Sequence, residues 1–258
     1  MKARLRMYLP PGFSDTKDVL PTAVFHDSLA GKVIFMPGNA EPIRYPHRQA
    51  LSPVAFQPCL SKEEINLLPL KAWEGPVVLV QNEDSLTTAL EDLWKENVLG
   101  FDTETRPTFT KGKTCSPALI QLATAGAVYL IQLTHIPFCS RIAELLSSPR
   151  VLKTGVAIHD DMKALARIHP FKADGVADLA AMARVRGIQA QGLRTLSANL
   201  LGFRISKSAQ CSNWENHELT PQQIKYAATD AWVGRELYFH MLRQVREQNR
   251  TRTVSAPV

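Results

Sequence analysis

The stretch VLGFDTETRP, residues 98–107, decides how the chain folds. Its first residues are apolar or small, which is typical of a buried strand, and acids follow at positions 102 and 104. Because side chains two positions apart in a strand point to the same side, Asp102 and Glu104 are expected to project together, with Thr103 on the other side. Acids at a strand end are also common as solvated residues, so this stretch alone does not define a site.

Acidic residues recur in two segments further along the chain. In KTGVAIHDDMKAL, residues 153–165, Asp161 stands where a short apolar strand gives way to a helix, and the positive end of a helix dipole also explains an acid there. In YAATDA, residues 226–231, Tyr226 and Asp230 are four apart and share one face of a predicted helix. A tyrosine on a helix face often only packs, whereas an aspartate within a helix has poor propensity and needs a reason.

The three segments together supply four carboxylates. Carboxylates that converge on one point repel each other unless cations neutralise them, so the set favours chemistry over packing. Oxygen ligands without cysteine or histidine favour Mg²⁺ or Mn²⁺ over zinc. In this order, the segments look like a divalent-metal nuclease site.

Strand and helix patterns alternate from about residue 60 onward. Apolar runs predict strands at residues 77–81, 98–104, 118–124, 127–133 and 151–157. Helical periodicity predicts helices at residues 61–68, 85–97, 137–147, 160–168, 175–185, 192–200 and 221–248. The first and last of these helices begin with capping-box spacings, Ser61 with Glu64 and Thr220 with Gln223. The order of elements predicts a mixed α/β sheet with helices packed against it.

Composition divides the chain into three parts. Prolines punctuate residues 1–58 and no amphipathic period persists there, so this part is predicted to be an irregular N-terminal extension of unknown function. Residues 59–248 form the predicted α/β domain, and residues 249–258 are predicted to be a disordered tail.

Bulk composition narrows the class of protein. A hydrophobic content of 45% and a charged content of 21% are ordinary for a soluble globular protein. The net charge of +6 suits a polyanionic partner such as nucleic acid, although many basic proteins bind none. No apolar run reaches the roughly 18 residues of a membrane helix. The cysteines form no CxxC pair, so reduced thiols and a cytoplasmic location are expected; they are Cys59, Cys115, Cys139 and Cys211.

Two long stretches resemble a known family. GFDTETRP with the later ALIQLAT, and CSNWENHELTPQQIKYAATDAWVGRELY at residues 211–238, resemble the motifs of the DEDD exonucleases, in the subgroup with tyrosine in the third motif. The resemblance is closest to the 3′–5′ exonuclease domain of Werner-helicase type, and looser to ribonuclease D. It covers about residues 75–245. It implies a ribonuclease-H-like fold, in which three antiparallel strands are followed by parallel strands and flanked by helices.

The resemblance also implies a reaction. A metal-dependent 3′–5′ exonuclease would release 5′-nucleoside monophosphates from the 3′ end of nucleic acid, with DNA favoured over RNA, by a mechanism that uses two Mg²⁺ or Mn²⁺ ions. By position in the motifs, Asp102 would bridge the ions, Glu104 and Asp230 would bind the catalytic one, and Asp161 would hold the second through water. Tyr226 would orient the attacking water.

Two points within the resemblance stay open. The family's spacing around the acid in IHDDMKAL favours Asp161 over its neighbour Asp160, which is the alternative ligand. Substrate contacts are implied for Thr103, Arg106, His159, Lys207, Gln210 and Trp214. For Trp214 the alternative is core packing, for Arg106 and Lys207 a solvated charge, and for His159 a structural role.

A different class of function is a nucleic-acid binding module that kept the fold and lost catalysis. The presence of all five motif residues argues against it. The chain is also expected to be a free-standing catalytic domain, since it has room neither for a helicase nor for the extra helical domains of ribonuclease D.

Overall fold

The computed structural model describes residues 59–108 and 115–254, with side chains up to residue 245. The predicted N-terminal extension at residues 1–58 lies outside the described residues. The strands are β1 Val77–Val80, β2 Val98–Thr105, β3 Pro117–Ala123, β4 Val128–Gln132, β5 Leu152–Gly155 and β6 Val176–Asp178. The helices are α1 Lys62–Leu67, α2 Glu83–Leu93, α3 Ser140–Ser147, α4 Ile158–Ile168, α5 Leu179–Val185, α6 Leu193–Leu196 and α7 Pro221–Val254.

The six strands form one mixed sheet in the order β1-β4-β3-β2-β5-β6. Strands β2, β3 and β4 are antiparallel neighbours, and β5 and β6 continue the sheet in parallel to β2. Strand β1 pairs in parallel with β4 at the opposite edge. The predicted ribonuclease-H-like arrangement, three antiparallel strands followed by parallel strands, is confirmed.

Helices cover both faces of the sheet, which is why its central strands are buried throughout. Every residue of β3 and β4 is buried. Alternate side chains such as Ile120 and Leu122 join the core beneath α2, α3 and α4, while Leu119 and Leu130 pack beneath α7. The period of two along each strand therefore sorts the apolar residues between two cores.

Helix α7 lies unusually close to β2. A Cβ atom added at Gly100 would stand only 1.9 Å from the carbonyl oxygen of Ala231. Gly234, on the helix side, would place a Cβ 3.2 Å from the carbonyl oxygen of Thr154 in β5. Glycine thus lets the backbone of the helix approach the backbones of the two strands. This close approach fixes the distance between the sheet and the side chains of α7.

Strand β5 is shorter than β2, and this difference opens a notch in the sheet. Pairing between them runs only from Val98 with Leu152 to Gly100 with Thr154. On its other side, β2 remains paired with β3 as far as Thr105. The last residues of β2 therefore extend past the end of β5, between the start of α4 and helix α7.

A lysine is buried in the core behind β5. Lys153 is fully buried, and its Nζ donates hydrogen bonds to the carbonyl oxygens of Leu145, Ser148 and Val151 at 3.2, 2.8 and 2.7 Å. Burial lowers the pKa of the Lys153 ammonium to about 7. The lysine ties the end of α3 to the sheet, where a cation also complements the helix dipole.

One predicted helix begins with a strand instead. Residues 175–185 were expected to be helical throughout, but Val176–Asp178 pairs with β5 as strand β6. Helix α5 starts only after Asp178, whose carboxylate accepts a hydrogen bond from the backbone N–H of Ala181 at 2.8 Å. The helix prediction was wrong for these three residues, because sheet pairing outweighs local periodicity in so short a segment.

The ends of other helices also differ from prediction. Helix α2 begins at Glu83 because Asn82 caps it with a capping box shared with Ser85. The predicted helix at 192–200 consists of α6 and a π-helical turn at Ser197–Leu201. Helix α7 continues to Val254, so the disordered tail predicted from residue 249 is wrong for residues 249–254. Neither glycine nor proline interrupts the chain from residue 235 to 254, and the last four residues lie outside the described range.

The described part of the chain contains no helix that combines the length and apolar character needed to cross a bilayer.

Candidate active site

The notch beside β5 opens into a cavity of about 280 Å³ that is lined by three of the four predicted acids, Asp102, Glu104 and Asp230. Asp102 and Glu104 enter it from the end of β2, and Tyr226 and Asp230 enter it from α7. The strand period of two and the helix spacing of four thus place both pairs on a common cavity, as the sequence predicted.

The start of α7 is held by the predicted capping box. The backbone N–H of Thr220 donates to Gln223 Oε1 at 3.0 Å, and the backbone N–H of Gln223 donates to Thr220 Oγ1 at 3.2 Å. Gln223 Nε2 also donates to the carbonyl oxygen of Asn213 at 3.2 Å. These bonds fix the register of the helix, and with it the direction in which Tyr226 and Asp230 emerge.

Burial raises the pKa values of the acids in this cavity, and neighbouring carboxylates add to the effect at Asp102 and Glu104. Burial, followed by the neighbouring carboxylates Asp230 and Asp161, raises the pKa of Asp102 well above its ordinary value. Burial and the charge of Asp102 together raise the pKa of Glu104 to about 10. Burial raises the pKa of Asp230 to about 7. Such mutual repulsion is what a bound cation would relieve.

Asp161, and not Asp160, faces β2. Asp160 is exposed and pairs with Lys163 at 2.9 Å on the surface of α4. Asp161 accepts a hydrogen bond from Thr103 Oγ1 at 2.7 Å, and burial raises the pKa of its carboxyl to about 6. Thr103 therefore links β2 to α4, and its hydroxyl is engaged with Asp161.

The donor set fits a hard divalent cation. Asp230 Oδ1 is buried without a hydrogen-bond partner, and the carboxylates of Asp102 and Glu104 share its cavity. Among residues 59–108 and 115–254, no three acidic, histidine or cysteine side chains yet stand close enough together to hold an ion. Asp161 is turned toward Thr103, so it would reach an ion through water or after leaving that bond.

The predicted substrate contacts fall into different places. Thr103, Lys207 and Gln210 line the cavity. Arg106 instead forms an exposed ion pair with Glu215 at 3.0 Å. His159 is exposed in the first turn of α4, outside the cavity lining, so its predicted role stays a prediction.

The stacking role predicted for Trp214 does not fit the structure. Its side chain is only 1% exposed and belongs to the core beneath α7. Its ring centroid lies 6.0 Å from that of Tyr226, so the indole packs against the tyrosine ring. Core packing, the alternative for this residue, is what the structure shows, because a buried ring offers no face to a base.

Sequence reasoning missed several residues of the cavity. Arg194, Thr195 and Ser206 line it together with the acids. Arg194 Nη2 donates to Asn66 Oδ1 of α1 at 2.7 Å, which orients the guanidinium. In the sequence, Arg194 stands out merely as a basic residue two positions after Gly192, at the start of a predicted helix. The fold is what brings this helix to the notch.

Cation binding is expected to stabilise the protein more at high pH than at low pH. The folded pKa values of these acids are raised above their unfolded values, so the folded state holds extra protons above about pH 4. Stability is therefore lost as pH rises through the folded values of about 6, 7 and 10 for Asp161, Asp230 and Glu104. Scanning calorimetry with saturating Mn²⁺ should show a Tm increase of about 5 °C at pH 8 and a much smaller one at pH 5.

A double variant, Asp102→Asn with Asp230→Asn, provides the control for this measurement. It removes two of the crowded carboxylates and should lose both the pH dependence and the response to Mn²⁺. An equal response in the variant would mean that the ion binds elsewhere.

The chain matches known proteins over the same region as its site. Residues 77–246 match the family described as 3′–5′ exonuclease. The mouse bifunctional 3′–5′ exonuclease/ATP-dependent helicase WRN is 30% identical over 191 residues, which cover 70% of this chain but only 14% of the relative. The crystal structure of the Aedes aegypti Nibbler EXO domain superimposes with a TM-score of 0.63 at 26% identity, covering 69% of this chain and 93% of that domain.

A third match concerns the fold alone. The structure of Trypanosoma brucei RNase D in complex with the RNA U12 gives a TM-score of 0.59 at 20% identity, with 66% of this chain and 63% of that one covered. The chain therefore spans a small part of the curated relative but nearly the whole of the solved exonuclease domain.

Proposed function

Because the chain belongs to the 3′–5′ exonuclease family, we propose that it hydrolyses phosphodiester bonds from the 3′ end of nucleic acid and releases 5′-nucleoside monophosphates. The observation that carries the proposal is the shared cavity of Asp102, Glu104, Tyr226 and Asp230. Four groups from two distant segments converge there, and burial together with the neighbouring carboxylates raises the pKa values of Asp102 and Glu104.

Divalent cations complete the proposed site. Asp102, Glu104 and Asp230 would hold them from one side, and Asp161 from α4. When bound, two Mg²⁺ or Mn²⁺ ions would clamp the scissile phosphate, lower the pKa of the attacking water and stabilise the leaving 3′ oxygen. The chain's own contribution is to bring three carboxylates to one cavity on a strand and a helix that are packed against each other.

Tyr226 is suited to donate a hydrogen bond rather than to accept a proton. Burial and the neighbouring carboxylates raise the pKa of its phenol above the ordinary value, so the hydroxyl keeps its proton. The hydroxyl lies beside Asp230 at the wall of the cavity. We propose that it orients the attacking water, which leaves the removal of the proton to another group.

Replacing Tyr226 with phenylalanine is expected to lower kcat by roughly ten- to a hundredfold and to leave KM nearly unchanged. The ring still packs against Trp214, so only the hydroxyl is lost. Single-turnover cleavage of a 3′-labelled strand measures the effect, and the pH–rate profile should keep its shape because the phenol does not titrate.

Tyr129→Phe is the matched control for this variant. The hydroxyl of Tyr129 donates to Asp92 at 2.9 Å, far from the catalytic residues in the fold. This variant should cleave at the wild-type rate. A Tyr226→Phe enzyme that did the same would remove the tyrosine from the mechanism.

The substrate is proposed to be DNA in preference to RNA. The similarity to the helicase-linked exonuclease supports DNA, while the fold shared with an RNase D bound to RNA keeps RNA as the second candidate. Lys207, Gln210 and Arg194 line the cavity and would contact the phosphates of either. The decisive quantity is kcat/KM on DNA and RNA strands of matched sequence, both free and in duplexes with recessed 3′ ends.

Catalysis is separated from mere binding by one experiment. A 5′-labelled strand incubated with Mg²⁺ or Mn²⁺ should shorten step by step from its 3′ end, and chromatography should detect 5′-mononucleotides. Retained binding without any product in either metal would show that the chain is a binding module instead.

A further inference from the structure

A second cavity adjoins the catalytic one. It has a volume of about 320 Å³ and lies between residues 70–74, residues 206–208 and the first turns of α7. Ser206 and Tyr226 belong to the walls of both cavities, so the two meet at the catalytic tyrosine. We name the second cavity the lysine groove after two of its lining residues, Lys71 and Lys225.

The walls of the lysine groove are preformed. The backbone N–H of Lys71 donates to the carbonyl oxygen of Arg204 at 3.0 Å, and the N–H of Arg204 donates to that of Pro69 at 3.0 Å. The N–H of Trp73 donates to Thr229 Oγ1 of α7 at 3.0 Å. The segment before β1 is therefore attached on both sides, and a ligand would enter without a large ordering cost.

Two lysines give the groove positive charge. Lys71 and Lys225 are exposed, and within the described part of the chain no carboxylate lies within ion-pair distance of either. Lys71 Nζ stands 5.1 Å from the centre of the Phe203 ring, which holds the ammonium at the groove. Glu74 is the one acid among the lining residues that the structure describes.

The groove has further donors suited to phosphate. The hydroxyls of Ser206 and Ser208 lie 2.8 Å apart at its edge. Backbone phosphates are typically bound by lysine, serine and threonine without regard to sequence. Among the described residues that line the groove, Tyr226 is the one aromatic residue, so the groove suits a sugar–phosphate chain better than a stacked base.

Part of this groove precedes the residues that the family match covers. The match begins at residue 77, whereas Lys71 and Glu74 come before it.

We propose that the lysine groove binds the nucleic-acid strand on the 5′ side of the scissile phosphate, through its backbone. The inference rests on the proposed function. The catalytic cavity, at about 280 Å³, is at the small end of ligand sites and has room for little beyond the terminal nucleotide. The rest of a bound strand needs a path out of this cavity, and the groove that shares Ser206 and Tyr226 with it carries two lysines.

The test compares substrates with and without an upstream strand. The double variant Lys71→Gln with Lys225→Gln should raise KM for a single-stranded oligonucleotide by about tenfold, with kcat unchanged. The slope of the logarithm of the binding constant against the logarithm of the salt concentration should become smaller in magnitude by about 1.4, the value for two phosphate contacts on a single strand. Hydrolysis of the p-nitrophenyl ester of thymidine 5′-monophosphate, which has no upstream strand, should be unaffected.

A charge-matched control and a gain-of-affinity variant accompany this test. Lys95→Gln with Lys172→Gln removes the same charge from exposed sites outside the groove and should leave KM unchanged. Glu74→Gln removes the acid of the groove and should lower KM for the oligonucleotide about threefold, an effect that misfolding would not produce.

The outcomes are distinct. The inference is overturned if the double variant Lys71→Gln with Lys225→Gln has the same oligonucleotide KM as the charge-matched control. It is also overturned if this variant loses as much activity on the nitrophenyl ester as on the oligonucleotide. Binding of a fluorescent oligonucleotide, followed by anisotropy in the Asp102→Asn background, needs no turnover and should weaken about tenfold in the double variant. Absence of hydrolysis by the wild type would contradict the proposed function, whereas unchanged anisotropy would contradict the groove.

Discussion

Asp102→Asn is expected to reduce the metal-dependent release of mononucleotides by at least about a thousandfold, because bound cations supply several kcal/mol of charge stabilisation in this chemistry. Asp102 shares its cavity with Glu104 and Asp230, and burial together with the charge of Asp102 raises the pKa of Glu104. An amide of the same shape can still accept the hydrogen bond from the Thr103 N–H at 2.9 Å. The change therefore removes a cation ligand while the fold is kept.

The same variant should make the cation-free protein more stable. Burial and neighbouring carboxylates raise the pKa of Asp102, so its ionised form opposes folding at neutral pH. Denaturant unfolding in the presence of a chelator should show a gain of about 1 kcal/mol, as is common when a strained functional group is removed. Lower activity together with lower stability would mean that the variant acts by disturbing the fold.

Asp160→Asn is the control for Asp102→Asn. Asp160 is exposed, and its partner is Lys163. Neither activity nor stability should change by more than a small amount, since exposed ion pairs contribute little. A loss of activity as large as that of Asp102→Asn would transfer the second-motif role from Asp161 to Asp160.

Gly100→Ala is expected to destabilise the protein by about 3 kcal/mol, at the upper end for an overpacked core. The added Cβ would lie 1.9 Å from the carbonyl oxygen of Ala231, which belongs to the backbone of α7. The helix must therefore move away from β2, and Asp230 moves with it. Urea unfolding measures the loss, and the activity of the remaining folded protein should also fall.

Gly126→Ala is the matched substitution for Gly100→Ala. No atom lies within 4 Å of the Cβ position at Gly126, in the turn between β3 and β4. Its stability should stay within about 0.5 kcal/mol of the wild type. If both glycine variants lost stability equally, the close approach of α7 to β2 would not be the cause.

The parts of the site that follow chain periodicity were predictable. Asp102 and Glu104 share a side because strands repeat every two residues, and Tyr226 and Asp230 because helices bring residues four apart together. The capping residues of α7 announce where that helix starts. Each of these features depends on a few neighbouring residues, so each can be predicted from the sequence.

The features that depend on distant segments were not predictable. Arg194 reaches the cavity only because α6 packs beside α7, and Trp214 is buried only because the core beneath α7 encloses it. The hydrogen bond from Thr103 to Asp161 joins residues 58 positions apart. Strand β6 has three residues, too few for a periodic signal, and it exists because β5 offers it an edge.

Because β5 ends early, the width of the cavity entrance and the positions of the carboxylates depend on different elements. The carboxylates stand on β2, α4 and α7, whereas the width of the opening depends on where β5 stops and how the chain turns into α4. Insertions or deletions at that turn can widen or narrow the entrance while every acid stays in place. The kind of nucleic-acid end that a relative prefers, whether frayed, recessed or looped, can therefore change while the hydrolytic chemistry stays the same. The change would come from β5, a strand that provides none of the carboxylates.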